Sequence, residues 1–489
     1  MVVLFLNLLT IKAQWAQLGS GISGDNSGDK FGKSISLSDD GMTFASGSYG
    51  FDANGFNAGL VRVFHYTSKG WTQVGNDIPG QQEEESFGFA VSLSADGTVV
   101  AAGAPNNLGS GGVTGCVRIY KNIDGTWTQV GQTIEAEAPE DMMGYNVSLN
   151  SDGTIVACAA PFNDGDLTDM GHVRIYHLEN NNWVQMGSDI DGEDAFNYSG
   201  FAVSLNASGN IVAIGAPENT DSGNEAGHVR VYQYQNEEWV QMGGDIDAES
   251  EEDYLGYSVS LNDEGNILAA SAIFDALNGP NSGSIYVYHW VDGSWQQLGN
   301  TIVGEHDHDN FGISIGLNGV GNMVVGGSPT NSDQASWAGS SRVFKLEGET
   351  WNQVGEDLDG ENEDDQSGTG VSINKDGSVV ATGSIEHNMG AGQVRVFQNA
   401  IVGMKEKKTV EDQNLVYPNP TTGRFNIDLK DYQTPEVYLY DMTGKVLFHQ
   451  SVQVSKSMLT LDLSQYQSGV YLIRIYDQDK TFSGKVVKR

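Results

Sequence analysis

The side chains best equipped for chemistry in this sequence are carboxylates, and they come in clusters. Glu83-Glu84-Glu85, Glu249 to Asp253, His306-Asp307-His308-Asp309 and Glu361 to Asp365 recur along the chain. Carboxylate oxygens are what Ca²⁺ collects, six to eight at a time. Glu83, Glu85, Asp253, Asp364 and Asp365 are therefore candidate oxygen ligands, and Ca²⁺ is the one cofactor the residues suggest. His306, Asp307, His308 and Asp309 add imidazole to carboxylate, a donor set suited to Zn²⁺ or a similar ion. The plainer reading is a solvated acidic rim that deters aggregation.

Other chemistry is sparse. No Ser-His-Asp, Cys-His, phosphate-loop or dinucleotide-binding signature stands in a convincing context, so no catalytic residue is assigned. His172 and His228 share one position of a repeat, which argues for a structural role. Arg62, Arg118, Arg174, Arg230, Arg342 and Arg395 each sit between apolar residues of a predicted strand. They read as ion pairs copied by the repeat rather than as an anion-binding stripe; Tyr286 takes the place in one unit. A polysaccharide-degrading enzyme would need a loop whose aromatic and carboxylate residues break the repeat, and the units look too uniform to contain one.

The elements that must position these residues are repeated. Trp15, Trp71, Trp127, Trp183, Trp239, Trp295 and Trp351 are spaced 56 residues apart, each opening a Trp-x-Gln string. Gly32, Gly88, Gly144, Gly200, Gly256, Gly312 and Gly368 keep the same period, as do turn glycines from Gly41 to Gly377. Within one unit, Phe89 to Leu93 alternates apolar and polar, Ser94-Ala95-Asp96-Gly97 is a hairpin turn, and Thr98 to Gly103 and Cys116 to Tyr120 are further strands. Four-stranded units of this length bury their faces only by stacking, and closing the stack into a ring removes exposed ends. The expectation is an all-β, seven-bladed β-propeller of four-stranded blades over 15–400. The Trp15 strand should complete the last blade. The acidic segments occupy one place in the unit, so they should gather on one face.

The formal charge is −39. It lies in residues 15–400, which hold 12 Lys and Arg against 54 Asp and Glu. Such a body repels nucleic acid and anionic lipid surfaces. Cys116 and Cys158 fall in different units and read as buried free thiols. Val2 to Ile11 is almost all apolar but too short to span a bilayer, so residues 1–14 read as a signal peptide, whole or truncated. No other segment approaches membrane length.

The pattern Phe-Gly-x-[Ala/Ser]-[Val/Ile]-Ser-Leu-Ser, then Gly-Ala-Pro, then Val-Arg-[Val/Ile]-[Tyr/Phe], is clearest at Phe87-Gly88 with Gly103-Ala104-Pro105. It resembles the FG-GAP propeller repeat. Met143, Ser199, Leu255 and Ser367 depart from it at the Phe. Many members of that family hold Ca²⁺ in a D-x-D-x-D-G loop; the turns here are too short and too poor in carboxylates, so that property is not carried over. After a charged linker at 401–413, Tyr417-Pro418-Asn419-Pro420-Thr421-Thr422-Gly423, Val437 to Leu447 and Gly469 to Ile475 follow. Residues 414–489 resemble the type A C-terminal sorting domain of the type IX secretion system of Bacteroidota, and read as a small β-sandwich.

The resemblance implies export, with the type IX machinery as a partner and the mature protein secreted or attached to the outer surface. The expected function is extracellular binding or adhesion by a monomeric, rigid propeller, with a glycan or protein as ligand and no enzymatic activity. The alternatives are a secreted polysaccharide-degrading enzyme and a Ca²⁺-organised surface protein.

Overall fold

The computed structural model describes residues 15–109, 111–399, 416–430, 435–440, 446–452, 458–477 and 480–489. The signal-peptide and linker readings lie outside these residues. The chain divides into two compact units, Met1–Asn399 and Ala400–Arg489.

The larger unit is built from antiparallel sheets, one per repeat. In the second repeat the strands Val91–Leu93, Val99–Ala104, Cys116–Ile123 and Thr126–Gln129 lie side by side in that order. Seven sheets of this plan follow one another; they are called blades one to seven from their inner strands, which begin at Ile35, Val91, Asn146, Ala202, Leu255, Ile315 and Ser367. Each inner strand packs on the next, and the strand at Ser367 packs on the strand at Ile35, so the blades close into a ring.

The same closure is written in hydrogen bonds. The serine at the polar place of the inner strand points sideways and accepts from a neighbouring backbone. Leu93 N–H donates to Ser36 Oγ at 2.9 Å, and the contact repeats for Leu149 on Ser92, Leu205 on Ser148, Leu261 on Ser204 and Leu317 on Ser260. Blade six has Gly316 at this place, and Val371 N–H there uses Ser314, two residues earlier. Leu37 N–H on Ser372 Oγ at 3.1 Å completes the circle. This is why the alternation in Phe-Ala-Val-Ser-Leu keeps a small hydroxyl at its polar place: a larger side chain could not lie between stacked sheets.

The two glycines of the family motif meet across blades. A Cβ on Gly103 would stand 1.9 Å from the carbonyl oxygen of Gly144, and one on Gly383 would stand 2.0 Å from that of Gly32. Gly144 itself has φ +88°, a left-handed backbone open mainly to glycine.

The Trp strand is the outermost in each blade. Its indole N–H reaches back to the preceding blade, as Trp127 Nε1 does to the Val74 carbonyl at 2.7 Å. Trp15–Gln17 pairs antiparallel with 397–399, the outer edge of blade seven. Trp15 Nε1 donates to the Val354 carbonyl of blade six at 2.7 Å, as its six counterparts do to the matching carbonyl of the blade before their own. The Trp series is thus blade packing. Cys116 and Cys158 are buried free thiols on adjacent blades; burial pushes the Cys116 thiol up to about 12, so it stays protonated and inert.

The smaller unit is a two-sheet sandwich. One sheet pairs Val416–Tyr417, Arg424–Asp428 and Met458–Asp462; the other pairs Val446–Ser451, Glu436–Tyr440, Gly469–Asp477 and Lys480–Lys488. Phe425, Ile427, Val437, Leu439, Ile473 and Ile475 alternate inward and form its core.

Candidate functional site

The acidic segments run from the outer strand of one blade to the inner strand of the next. They adjoin the loops between second and third strands, as in the groove on blade five described below. Within each segment one residue turns inward. Asp29, Glu85, Asp141, Asn197, Asp253, Asp309 and Asp365 keep the 56-residue period, and all are buried. Each accepts a backbone N–H from just upstream in its own segment, as Asp141 does from Ala138 at 2.9 Å and Asn197 from Asp194 at 2.8 Å. Four of the candidate ligands, Glu85, Asp253, Asp309 and Asp365, are these loop-closing residues. Glu83, His306, Asp307, His308 and Asp364 are exposed beside them.

Glu85 is the loop-closing residue that an arginine holds directly. Both oxygens are gripped by Arg118, Nη1 to Oε1 at 2.9 Å and Nη2 to Oε2 at 2.8 Å, and Asn107 Nδ2 adds a bond at 2.8 Å. Burial alone would raise its pKa, but Arg118 and these bonds outweigh it and hold the carboxylate below its ordinary range. No oxygen is left for a metal. Asp309 meets Asn331, and Asp365 meets His387 at 3.1 Å. His306 Nε2 pairs with Asp333 at 3.0 Å, while His308 Nδ1 faces Asn281, so the two imidazoles take separate partners.

The other arginines of the third strands behave as the repeat suggests. Arg62 pairs with Asp25 and Asp77, Arg174 with Glu137 and Asp189, Arg230 with Glu193, Arg342 with Glu305 and Arg395 with Glu361. These are ion pairs within the acidic face, not an anion-binding stripe.

Blade five departs from the plan, and here the expectation of uniform units is corrected. Leu255 replaces the Phe, Asp275 replaces the Asn of position 107, and Tyr286 replaces the Arg. The three changes meet. Asp253 is 8% exposed and has no arginine partner; its carboxyl accepts one hydrogen bond among the described residues, from the Ser250 N–H at 3.2 Å. Asp275 accepts the Tyr286 hydroxyl at 2.6 Å and the Leu277 N–H at 2.8 Å. Beside them opens a groove of about 770 Å³, walled by Glu225, Glu251, Glu252, Tyr254, Phe274 and Leu277. Tyr254 and Phe274 pack edge to face with centroids 4.8 Å apart, and the Tyr254 hydroxyl is fixed on Glu225 at 2.6 Å. This is the aromatic and carboxylate loop that the sequence reading did not find. Tyr286 and Leu255 were visible as single departures; the signal was that they fall in one unit together with Asp275.

Burial, then the Asp275 charge, pushes the Asp253 carboxyl up to about 6. The folded state holds this proton more tightly than the unfolded chain. The group's stability contribution is therefore complete below its ordinary pKa and is lost as pH rises towards 6. Asn fits the position, as Asn197 shows in blade four. Asp253→Asn should stabilise the protein by about 1–2 kcal/mol at pH 8 and leave it unchanged near pH 3.5, the full shift being discounted because the groove is open to water. Urea unfolding at the two pH values checks this; an equal effect at both would contradict it.

Two family models match the chain. Residues 415–489 match the secretion system C-terminal sorting domain, and residues 247–288, the unit that builds blade five, match the FG-GAP repeat. The chain is thus an exported all-β protein whose larger unit is a β-propeller, with one unit that matches the FG-GAP repeat. Its tail is of the kind read by the type IX secretion machinery, and it is secreted or attached to the outer-membrane surface. No curated protein matches it. Among solved structures it is similar to U3-55K (TM-score 0.45, 11% identity, 79% of this chain and 99% of that one). It is also similar to the β-propeller domain of the trilobed protease from Pyrococcus furiosus (0.39, 9%, 80% and 93%) and to a xyloglucanase from Xanthomonas campestris (0.39, 9%, 76% and 53%). TM-scores below 0.5 add nothing to the strand pairing and bring no function to this chain. Among the described residues no helix is long and apolar enough to cross a membrane.

Proposed function

We propose that the protein is an extracellular binding protein whose recognition site is the blade-five groove. One observation carries this: in blade five Asp275 and Tyr286 together replace the Asn and Arg of the repeat and bond each other, and a groove lies beside them. Loops repeated around the ring offer equivalent weak surfaces, whereas a combination found in one blade offers a distinct one. Its chemistry selects the ligand. Glu225, Glu251 and Glu252 supply negative charge at the rim, and Tyr254, Phe274 and Leu277 supply apolar surface. That combination suits a basic protein segment with an apolar neighbour, whose cationic heads can also lie over aromatic faces.

The test is binding of the full chain to an array of extracellular proteins, basic peptides and glycans. A ligand that uses the groove should bind Glu251→Gln/Glu252→Gln at least about tenfold more weakly, with the parent losing a similar factor in high salt. Ligands bound equally by parent and double variant would rule the groove out.

Asp253 favours a second reading. A carboxyl pushed up to about 6 beside a second carboxyl group is how a glycosidase prepares its general acid. Against this, Asp253 occupies the loop-closing place that six other blades fill without such a partner. Release of reducing ends from plant or bacterial polysaccharides, abolished in Asp253→Asn, would turn the assignment to an enzyme.

A further inference from the structure

Blade four carries a second departure, on a different set of residues. Glu193 comes from the acidic segment before the blade, Asp221 from the loop between its second and third strands, His228 from the start of the third strand and Asp245 from the segment after the outer strand. The four residues span 193–245 of the sequence. One ligand atom from each lies within 4.8 Å of the others. The His228 ring is 1% exposed, and its buried Nδ1 has no hydrogen-bond partner. Leaving a buried polar nitrogen unpaired costs about 1–3 kcal/mol, so its environment is incomplete as it stands.

The corresponding places elsewhere show what is particular here. Blade three has Glu137, His172 and Asp189, but Gly165 stands where Asp221 would, and Arg174 binds both Glu137 and Asp189. The guanidinium already fills that site. Blade six has Glu305, Asp333 and Asp357 but Ser340 in place of the imidazole. In blade four Arg230 is drawn aside, donating to the Asp191 carbonyl at 2.7 Å and reaching only Glu193, at 3.3 Å. Asp221 and Asp245 keep only neutral amide partners, Asn219 and Gln241. Three carboxylates thus face one guanidinium and one imidazole.

We infer that Glu193, Asp221, His228 and Asp245 form a binding site for a divalent transition-metal ion. One nitrogen with three carboxylates is a donor set for Zn²⁺ or Mn²⁺; Ca²⁺ prefers oxygen alone. A dication would balance the three carboxylates beside Arg230 and occupy the unpaired side of the imidazole. The carboxylates are exposed, so the ion has a route in. The site is independent of the blade-five groove and shares no residue with it.

The experiment titrates the untagged, chelator-stripped full chain with Zn²⁺ and Mn²⁺ by calorimetry, and with Co²⁺ by visible absorption. One equivalent should bind, with a Co²⁺ ligand-field spectrum, and excess Ca²⁺ should not displace it. Asp221→Asn and Asp245→Asn change exposed groups and should each weaken binding tenfold or more. His228→Gln should alter the Co²⁺ spectrum; if that variant does not fold, the two Asn variants decide. Absence of a stoichiometric ion, parental affinity in Asp221→Asn, or displacement by Ca²⁺ would each overturn the assignment.

Discussion

Arg118→Ala should destabilise the propeller by about 3–5 kcal/mol, because it strands a buried carboxylate. Glu85 has no exposed surface, and Arg118 is nearly as enclosed. The fork of two bonds at 2.9 and 2.8 Å offsets the loss of water around both charges. The guanidinium also lies over the Phe87 ring, 5.4 Å from its centroid. Removing one partner leaves the other uncompensated. Removing both is different: Glu85→Gln with Arg118→Met replaces two charges by groups of similar volume. The double variant should lose much less stability than the sum of the losses in Glu85→Gln and Arg118→Met taken singly. Urea unfolding of the four proteins closes the cycle; additive losses would show that the pair is not coupled. A milder cost is expected for Arg62, whose partners Asp25 and Asp77 are exposed to water.

The second large effect concerns closure of the ring. Trp15→Ala should cost about 3–5 kcal/mol, the usual loss for a buried tryptophan. The ring packs in a cluster with Val325, Val343, Leu358, Val371 and Phe397, and its N–H bond to Val354 is lost with it. The consequence differs from that of Trp183→Ala, although Trp183 is buried in the same way. The Trp183 strand follows by a tight hairpin from the strand it pairs with. Trp15–Gln17 is joined to blade seven by pairing with 397–399, continued by Leu18 on Val396 and by Ile22–Ser23, rather than by a hairpin. In Trp15→Ala the amides of 397–399 should lose hydrogen-exchange protection before the rest of the sheet, whereas Trp183→Ala should loosen no chain end. Early exchange at 397–399 in the parent would contradict a closed ring.

Much of this was legible in the sequence because a repeat makes each observation several times over. One alternating segment such as Phe89 to Leu93 is weak evidence for a strand. Seven copies at a fixed period, with glycine at Gly97 and its equivalents, leave little else that could bury the faces. The closing strand was legible as well, since a chain that opens on an outer strand and ends on a third strand has one natural place to join. The same period held an unused signal. Glu85, Asp253, Asp309 and Asp365 share a place with Asp29, Asp141 and Asn197, and an amide in that series points to loop closure rather than metal binding. Read by composition, these residues looked like one acidic rim with their exposed neighbours.

What the sequence determined by itself is the modular part: the unit, its strands, the closing strand, the sorting tail and export. These rest on local periodicity and on interactions each unit makes with identical neighbours, so they recur wherever the pattern does. What only the tertiary structure decided is which carboxylates are spoken for. Glu85 and Asp253 look alike in sequence, yet one is clasped by Arg118 and the other is left beside Asp275. His172 and His228 hold one place, yet Arg174 fills the space near the first and Asp221 enters near the second. Whether a charge is paired depends on groups tens of residues away, brought within a few ångströms only when the loops of a blade come together. At that range the interaction falls with distance, not with separation along the chain.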